Sequence, residues 1–248
     1  MAAVTMVKGD HAFLARWVEY YGGLIGRENL FILRQGHDPE IDRIAAGANI
    51  LHQPETVEDA TLDIRRWATL SHFTSGLTLY YNWVLCTEVD EIVAPDPATG
   101  LALPDYLDAM FATGRAPQVV APFGIDLVPP ADAASTGPVL CVGQTFRLNG
   151  RKAKHCITRR RISFGPGGRG SSVRDVHMDQ KLFLFHLRPQ YGAKGSTLPD
   201  PVTETIEFAD LVAALTHGPD RGEGGHGVTP DLHSTELYRL PERFAALF

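Results

Sequence analysis

Three carboxylates, Glu88, Asp90 and Glu91, interrupt the segment 83–93, WVLCTEVDEIV, directly after a run of apolar residues. On an extended chain, side chains two apart share a face, so Glu88 and Asp90 are expected to project together with Cα atoms roughly 6–7 Å apart. Two such carboxylates repel each other and lose hydration unless a cation stands between them, and a divalent metal is the simplest candidate. The competing reading is a solvated turn that closes a strand. The apolar run before the cluster favours a buried strand instead, and ligands of parallel α/β sheets sit beyond the carboxyl ends of such strands.

Two imidazoles are candidates to complete the shell of that metal: His177, and His186 within the apolar stretch LFLFHLR. Mn²⁺ accepts mixed oxygen and nitrogen ligands, although a lone histidine on an apolar strand is more commonly a hydrogen-bonded core residue. Positive charge gathers at Lys8, Arg151, Lys152, Lys154, Arg159, Arg160, Arg161, Arg169, Arg174 and Arg188, where it could neutralise a metal-bound diphosphate. Strand alternation puts Arg159 and Arg161 on one face and Arg160 on the other, so the three cannot serve one site. The glycine-rich segment 164–170, FGPGGRG, lacks the GK[ST] and the strand–loop–helix setting of a phosphate loop, and suits a lid that orders over bound ligand or, equally, an inert loop. No GxSxG pattern accompanies any serine, so nucleophilic hydrolysis is disfavoured.

The elements that must hold these residues follow from composition and periodicity. A chain of 248 residues with 44% hydrophobic and 21% charged residues can build one large globular domain or a domain with an appendage. A net charge of −6 argues against sequence-independent binding of nucleic acid. Three cysteines without a CxxC spacing suggest reduced thiols and a cytoplasmic protein rather than a disulfide framework or a thiolate zinc site. The N-terminal residues lack the longer apolar region and cleavage site of a signal peptide, so none is expected, and no stretch approaches the roughly 20 apolar residues that span a bilayer. Any membrane contact is then expected to be peripheral.

Strands and helices are expected to alternate through the first half, the pattern of an α/β domain with a largely parallel sheet. A strand over 3–7 leads to a helix capped by Asp10, burying Phe13, Leu14, Trp17, Val18 and Tyr21, and stopped by Gly22 and Gly23. A strand over 30–33 precedes a helix that opens at Asp38 and Pro39 and ends at Gly47. A strand over 49–52 and a helix from about 57, burying Ala60, Ile64, Trp67 and Ser71, then deliver the chain to the acidic segment. Beyond residue 97, a helix is expected over 103–111, and strands over 118–123, 140–148, 155–164 and 181–187. A basic turn spans 149–154. Helices are expected over 204–216 and 235–247, either side of a flexible 218–227.

Taken in order, these segments resemble the family 2-like glycosyltransferases. Residues 7–21, VKGDHAFLARWVEYY, are similar to the opening of that family, in which the first strand runs into a lysine, a polar pair and a tryptophan-bearing helix. Residues 83–92 look like its DxD segment, here Glu88-Val89-Asp90. Lys154, Val176-His177 and His186 resemble its later lysine and histidine landmarks. The resemblance covers roughly residues 3–190.

It implies an α/β, Rossmann-like A-type glycosyltransferase fold with a mixed, mostly parallel central sheet flanked by helices and a helical C-terminal tail. The domain would occupy 1–192, with a nucleotide-binding half to about 97, an acceptor half over 98–192 and an extension over 193–248. Implied cofactors are Mn²⁺ or Mg²⁺ held by Glu88 and Asp90, with His177 or His186 completing the shell. Lys8, Asp10, Asp38, Lys154 and Arg159 would serve a UDP- or GDP-sugar donor. The acceptor would be a saccharide or lipid-linked molecule at the inner face of a membrane. Asp175 and Asp179, flanking His177, are the candidate catalytic bases of an inverting reaction.

The sequence departs from the family in three places. Glu88 replaces the first aspartate, Gly9-Asp10 replaces Asn-Glu, and residues 34–38, RQGHD, replace the start after the second strand. These departures keep two alternatives open: a catalytically degenerate nucleotide- or partner-binding relative, and another metal-dependent phosphate enzyme such as a nucleotidyltransferase.

Overall fold

The computed structural model describes residues 1–55, 59–112, 117–128, 145–149, 153–188 and 237–247. The parallel half is built from β1 (Ala2–Val7), α1 (His11–Ile25), β2 (Leu30–Gln35), α2 (Pro39–Ile44), β3 (Asn49–Gln53), α3 (Leu62–Leu77) and β4 (Val84–Cys86). The remainder comprises β5 (Glu91–Pro95), α4 (Leu103–Ala112), β6 (Val119–Val128), β7 (Thr145–Leu148), β8 (Ile157–Thr158), β9 (Val176–His186) and β10 (Tyr238–Arg239), with a closing 3-10 helix, Glu242–Leu247.

One sheet joins all the described strands in the order β10-β7-β6-β8-β4-β1-β2-β3, with β9 also beside β6 and β5 beside β9. β4, β1, β2 and β3 are mutually parallel. β8 is antiparallel to both β4 and β6, and β9 is parallel to β6, so β6 and β9 also follow the direction of β1. The fold is thus a mixed α/β sheet with a mostly parallel centre, as the sequence predicts.

Alternate strand residues feed two cores. Ala3, Leu30, Ile32 and Leu85 meet Phe13, Leu14 and Trp17 of α1 and Leu103 and Leu107 of α4. Val4, Met6, Leu33, Val84 and Cys86 meet Trp67 and Leu70 of α3 on the other face. Burial on both faces is why β4 reads as an unbroken apolar run and β1 as one interrupted only by the buried Thr5.

Several predicted boundaries move, for identifiable reasons. α1 runs through Gly22 and Gly23 and stops at Gly26, whose φ of 81° suits a glycine. Each helical glycine costs about 1 kcal/mol, whereas one well-buried side chain contributes about 1.5–3 kcal/mol. Tyr21, fully buried, and Ile25, packed on the core, outweigh the pair. Ala60 is exposed, and Ile64, expected in the core, is 61% exposed. The reason is that Arg66 already reaches the Met6 carbonyl near the end of β1 (3.2 Å), so the first turn of α3 extends past the strands.

The strand expected over 155–164 joins the sheet only at Ile157 and Thr158, and Phe164 makes an isolated bridge to Ser171. Thr158 Oγ1 accepts from Arg160 N (3.1 Å) and donates to Arg160 O (2.8 Å), which bends the chain off the sheet. β9 begins five residues earlier than expected, and β6 continues to Val128. The helix expected over 235–247 is divided: Tyr238 and Arg239 pair with β7, and only Glu242–Leu247 is helical. Pro241 lacks an N–H and disfavours helical geometry at Leu240, which accounts for the division. The expected helix over 204–216, the flexible 218–227, Cys141, Arg151 and Lys152 lie outside the described residues. Among the described residues, no helix is long and apolar enough to cross a membrane.

Candidate functional site

The acidic residues do not extend one strand. β4 ends at Cys86, residues 87–90 turn, and Glu91 opens β5, which pairs antiparallel with β9. Four bonds fix the turn. Thr87 N donates to Val4 O (3.1 Å), Trp17 Nε1 to Thr87 Oγ1 (3.0 Å), Glu91 N to Glu88 O (3.2 Å) and Leu187 N to Asp90 O (2.7 Å). The turn, rather than strand alternation, brings Glu88 and Asp90 to the same cleft.

That cleft, of about 220 Å³, is lined by Met6, Val7, Lys8 and Asp10 after β1, Gln35 at the end of β2, Arg66 of α3, Glu88, Val89, Asp90 and Arg188. It lies where the chain, having built β2 and β3 on one side of β1, crosses to place β4 on the other. Crevices at such reversals, beyond the carboxyl ends of the strands, are the ligand sites of open α/β sheets.

The charges in the cleft are already paired. Arg66 Nη1 donates to Glu88 Oε1 (3.0 Å), and Lys154 Nζ lies 2.6 Å from both Glu88 Oε2 and Glu91 Oε1. Glu91 is fully buried, and its Oε2 also accepts from Glu88 N (3.1 Å). Burial would push the Lys154 ammonium down, but the two carboxylates win and raise it. Burial likewise opposes ionisation of Glu88, yet Lys154 and Arg66 hold its carboxyl below the ordinary carboxylate value.

Asp90 is held from β9. Its Oδ2 is 3.2 Å from His186 Nε2 and accepts from Arg188 Nε at 2.9 Å. Against the effect of burial, these two contacts keep the Asp90 carboxyl far below its usual range. Arg188 also reaches Asp10 Oδ2 (3.0 Å) across the cleft and lies over the Phe13 ring, 4.6 Å from its centroid. The second nitrogen of His186, Nδ1, is 3.4 Å from Asp126 Oδ1, while Asp126 Oδ2 accepts from Asn149 Nδ2 (2.7 Å).

Carboxylate oxygens of Glu88, Asp90 and Glu91 lie within 4.8 Å of one another. All-oxygen donor sets suit hard cations such as Mg²⁺ and Mn²⁺, so the residues fit the implied ion. Glu88 and Asp90 border the cleft, whereas Glu91 is sealed behind them with Lys154.

Of the residues predicted from sequence, Lys8, Asp10, Glu88 and Asp90 come together in the cleft. Asp38 caps α2, accepting from Glu40 N (3.1 Å) and Ile41 N (3.4 Å), and binds His11 Nε2 (2.8 Å) at the start of α1. Lys154, expected near phosphates, is instead 2% exposed beneath the acidic turn. His186 has a carboxylate at each ring nitrogen, so it supports Asp90 rather than facing the cleft.

Four predicted residues lie elsewhere. His177 and His186 are opposite Val120 and Asp126 of β6, six residues apart, which places His177 roughly 20 Å down the sheet. Asp179 is at the same level, bonded to His177 (3.3 Å), Tyr106 Oη (2.9 Å) and Lys181 N (2.8 Å), and Asp175 is exposed just before β9. Neither aspartate is placed to act as a base in the cleft. Arg159 lies over Trp83, at the opposite end of β4 from Glu88.

Sequence reasoning missed Arg66 and Asp126 and gave Glu91 no separate role. The signal for Arg66 was positional, since a helix that feeds a parallel strand starts at the carboxyl edge of the sheet. The glycine-rich segment, expected as a lid or an inert loop, is docked on α3. Gly167 N donates to Asp63 Oδ2 (3.2 Å), and Phe164 meets Trp67 edge-on.

No family model and no curated protein matches the chain. Among solved structures, the chain is similar to mannose-1-phosphate geranyltransferase from Thermus thermophilus, at 15% identity and a TM-score of 0.31 over 75% of this chain and 57% of that one. It is also similar to CMP:2-keto-3-deoxy-manno-octonic acid synthetase complexed with CTP, at 13% identity and a TM-score of 0.29 over 67% of this chain and 66% of that one. The chain spans little more than half the length of the first and about two thirds of the second.

Proposed function

We propose that this protein is a metal-dependent glycosyltransferase that takes a UDP- or GDP-sugar as donor and a saccharide or lipid-linked molecule as acceptor. One observation carries the reading: three carboxylates, Asp10, Glu88 and Asp90, share with three cations, Lys8, Arg66 and Arg188, a cleft at the reversal point of a largely parallel sheet. That mixture suits a ligand that is both metal-bound and polyanionic. A cleft for an anion alone would need no carboxylates, and one for a cation alone would need no arginines.

On this reading Glu88 and Asp90 would hold Mn²⁺ or Mg²⁺. The ion, when bound, offsets charge that develops on the departing nucleoside diphosphate. Arg66 and Arg188 exchange their carboxylate partners for phosphate oxygens, to which a guanidinium presents a matching fork of donors. Lys8, which lies 3.7 Å from the exposed Glu55, approaches the same phosphates from the end of β1. Gln35 and Asp38, at and beyond the end of β2, lie on the side where base and ribose would rest.

Turnover of sugar nucleotides tests the activity. Slow Mn²⁺-dependent hydrolysis of one UDP- or GDP-sugar, releasing free sugar and nucleoside diphosphate, is expected. Pyrophosphate release from a nucleoside triphosphate and a sugar phosphate would favour a nucleotidyltransferase instead. Nucleotide binding without either reaction would indicate a degenerate relative.

A further inference from the structure

We infer that Lys154 is the resident counter-cation of the acidic turn: a positioning residue that fills the inner half of the carboxylate cluster and leaves only its outer half to an external metal. The inference deepens the proposed function and rests on it for the identity of the outer ligand, but the occupancy of the inner half is argued from geometry alone.

The Lys154 ammonium belongs to a side chain that is 2% exposed, and it lies 2.6 Å from an oxygen of Glu88 and 2.6 Å from an oxygen of Glu91. Its remaining side is covered by the Trp67 ring, with Nζ 5.4 Å from the centroid. That ring is in turn pinned from above: a Cβ on Gly168 would stand 2.6 Å from its Cη2 atom. The ammonium therefore occupies a closed socket of two carboxylates and one aromatic face, set by the acidic turn, α3 and the glycine-rich segment together.

Charge then limits what the cluster takes up. Asp10, Glu88, Asp90 and Glu91 are matched by Arg66, Lys154 and Arg188, with Lys8 also lining the cleft, so four negative charges face four positive ones. A divalent ion arriving alone meets a nearly neutral site and must compete with Lys154 for Glu88 Oε2. Together with a diphosphate, the same ion enters a site to which several negative charges have been added, while Arg66 and Arg188 gain phosphate partners. Lys154 thereby makes metal uptake conditional on the anionic ligand. The lysine also separates two carboxylates that sequence alone does not distinguish: Glu88 turns outward as a ligand, and Glu91 stays inward as the anchor of Lys154.

The test is Mn²⁺ titration followed by electron paramagnetic resonance, with no nucleotide present, on wild type, Lys154→Met and Lys154→Met/Glu91→Gln. Wild type is expected to bind Mn²⁺ weakly. Lys154→Met, which removes the cation shared by Glu88 and Glu91 while Arg66 stays on Glu88, is expected to bind Mn²⁺ roughly tenfold or more tightly. The double variant, which removes both charges of the inner pair, is expected to return to within a few-fold of wild type. A Lys154→Met protein that is folded by circular dichroism but has wild-type Mn²⁺ affinity would overturn the inference, as would a double variant that keeps the gain.

If Lys154→Met does not fold, the double variant still decides, because replacing both charges of a buried pair is far better tolerated than removing one. Titrated with Mn²⁺ plus pyrophosphate, it should bind like wild type if Glu91 only anchors Lys154. It should lose binding if Glu91 is itself a ligand, and that loss would overturn the inference. None of these readouts requires a nucleotide, so failure of the glycosyltransferase reading and failure of the Lys154 assignment are separable.

Discussion

His186 Nε2 lies 3.2 Å from Asp90 Oδ2, and its Nδ1 lies 3.4 Å from Asp126 Oδ1. All three groups are buried, so the orientation of the cleft-facing carboxylate is set from inside the sheet. His186→Ala strips both aspartates of a shared polar partner and is expected to cost about 1–3 kcal/mol, the range for leaving buried polar groups unsatisfied. His186→Asn keeps a polar side chain there and should recover part of that loss. Urea unfolding midpoints of the two variants check the difference.

Acid should weaken the protein through the same turn. Asp90 and Glu88 have folded-state values below their ordinary ones, because His186 and Arg188 for the first, and Lys154 and Arg66 for the second, overcome the opposing effect of burial. A carboxylate lowered in the fold stabilises fully above its unfolded value, near 4, and loses that contribution as pH falls through the folded value. Urea midpoints are therefore expected to fall below about pH 4, and Asp90→Asn should remove part of that pH dependence.

The glycine-rich segment is a packed element, and Gly168 is where this can be tested. Its φ of +71° disfavours any other residue, and a Cβ there would collide with Trp67. Gly168→Ala is expected to destabilise by about 1–3 kcal/mol, through overpacking and backbone strain. Thermal denaturation followed by tryptophan fluorescence reads both the loss and the displaced ring.

Phe244 anchors the chain end. It is fully buried, with ring centroids 5.8 Å from Phe183 and 5.7 Å from Phe185, and the neighbouring Arg243 forks onto Asp96 (2.7 and 2.9 Å). Phe244→Ala should cost about 3–5 kcal/mol. Arg243→Ala, on a partly exposed pair, should cost clearly less, and chemical denaturation ranks the two.

Much of this was legible in the sequence because it depended on neighbours along the chain. The apolar positions of α1, the Asp38–Pro39 opening of α2, the alternation of strands and helices and the acidic run after β4 all carry local signals. What escaped depended on partners far apart in sequence. Nothing near Glu91 marks it as buried beside the distant Lys154. Glu88, Asp90 and Glu91 look alike in a string of letters, and only the change from β4 to β5 gives them different surroundings. His177 and His186 likewise looked equivalent until the register of β9 on β6 set them at different levels of the sheet.

The central claim is that Glu88 and Asp90 hold a divalent ion against a nucleoside diphosphate. The most direct measurement is the melting temperature with Mn²⁺ and a panel of nucleoside diphosphates, for wild type and Asp90→Ala. Ligand at roughly 100 times its Kd stabilises by about 2.7 kcal/mol, a shift of several degrees for a protein of this size. The account predicts such a shift for one diphosphate, dependent on Mn²⁺ and absent from Asp90→Ala. No shift for any diphosphate with metal, or an equal shift in the variant, would contradict it.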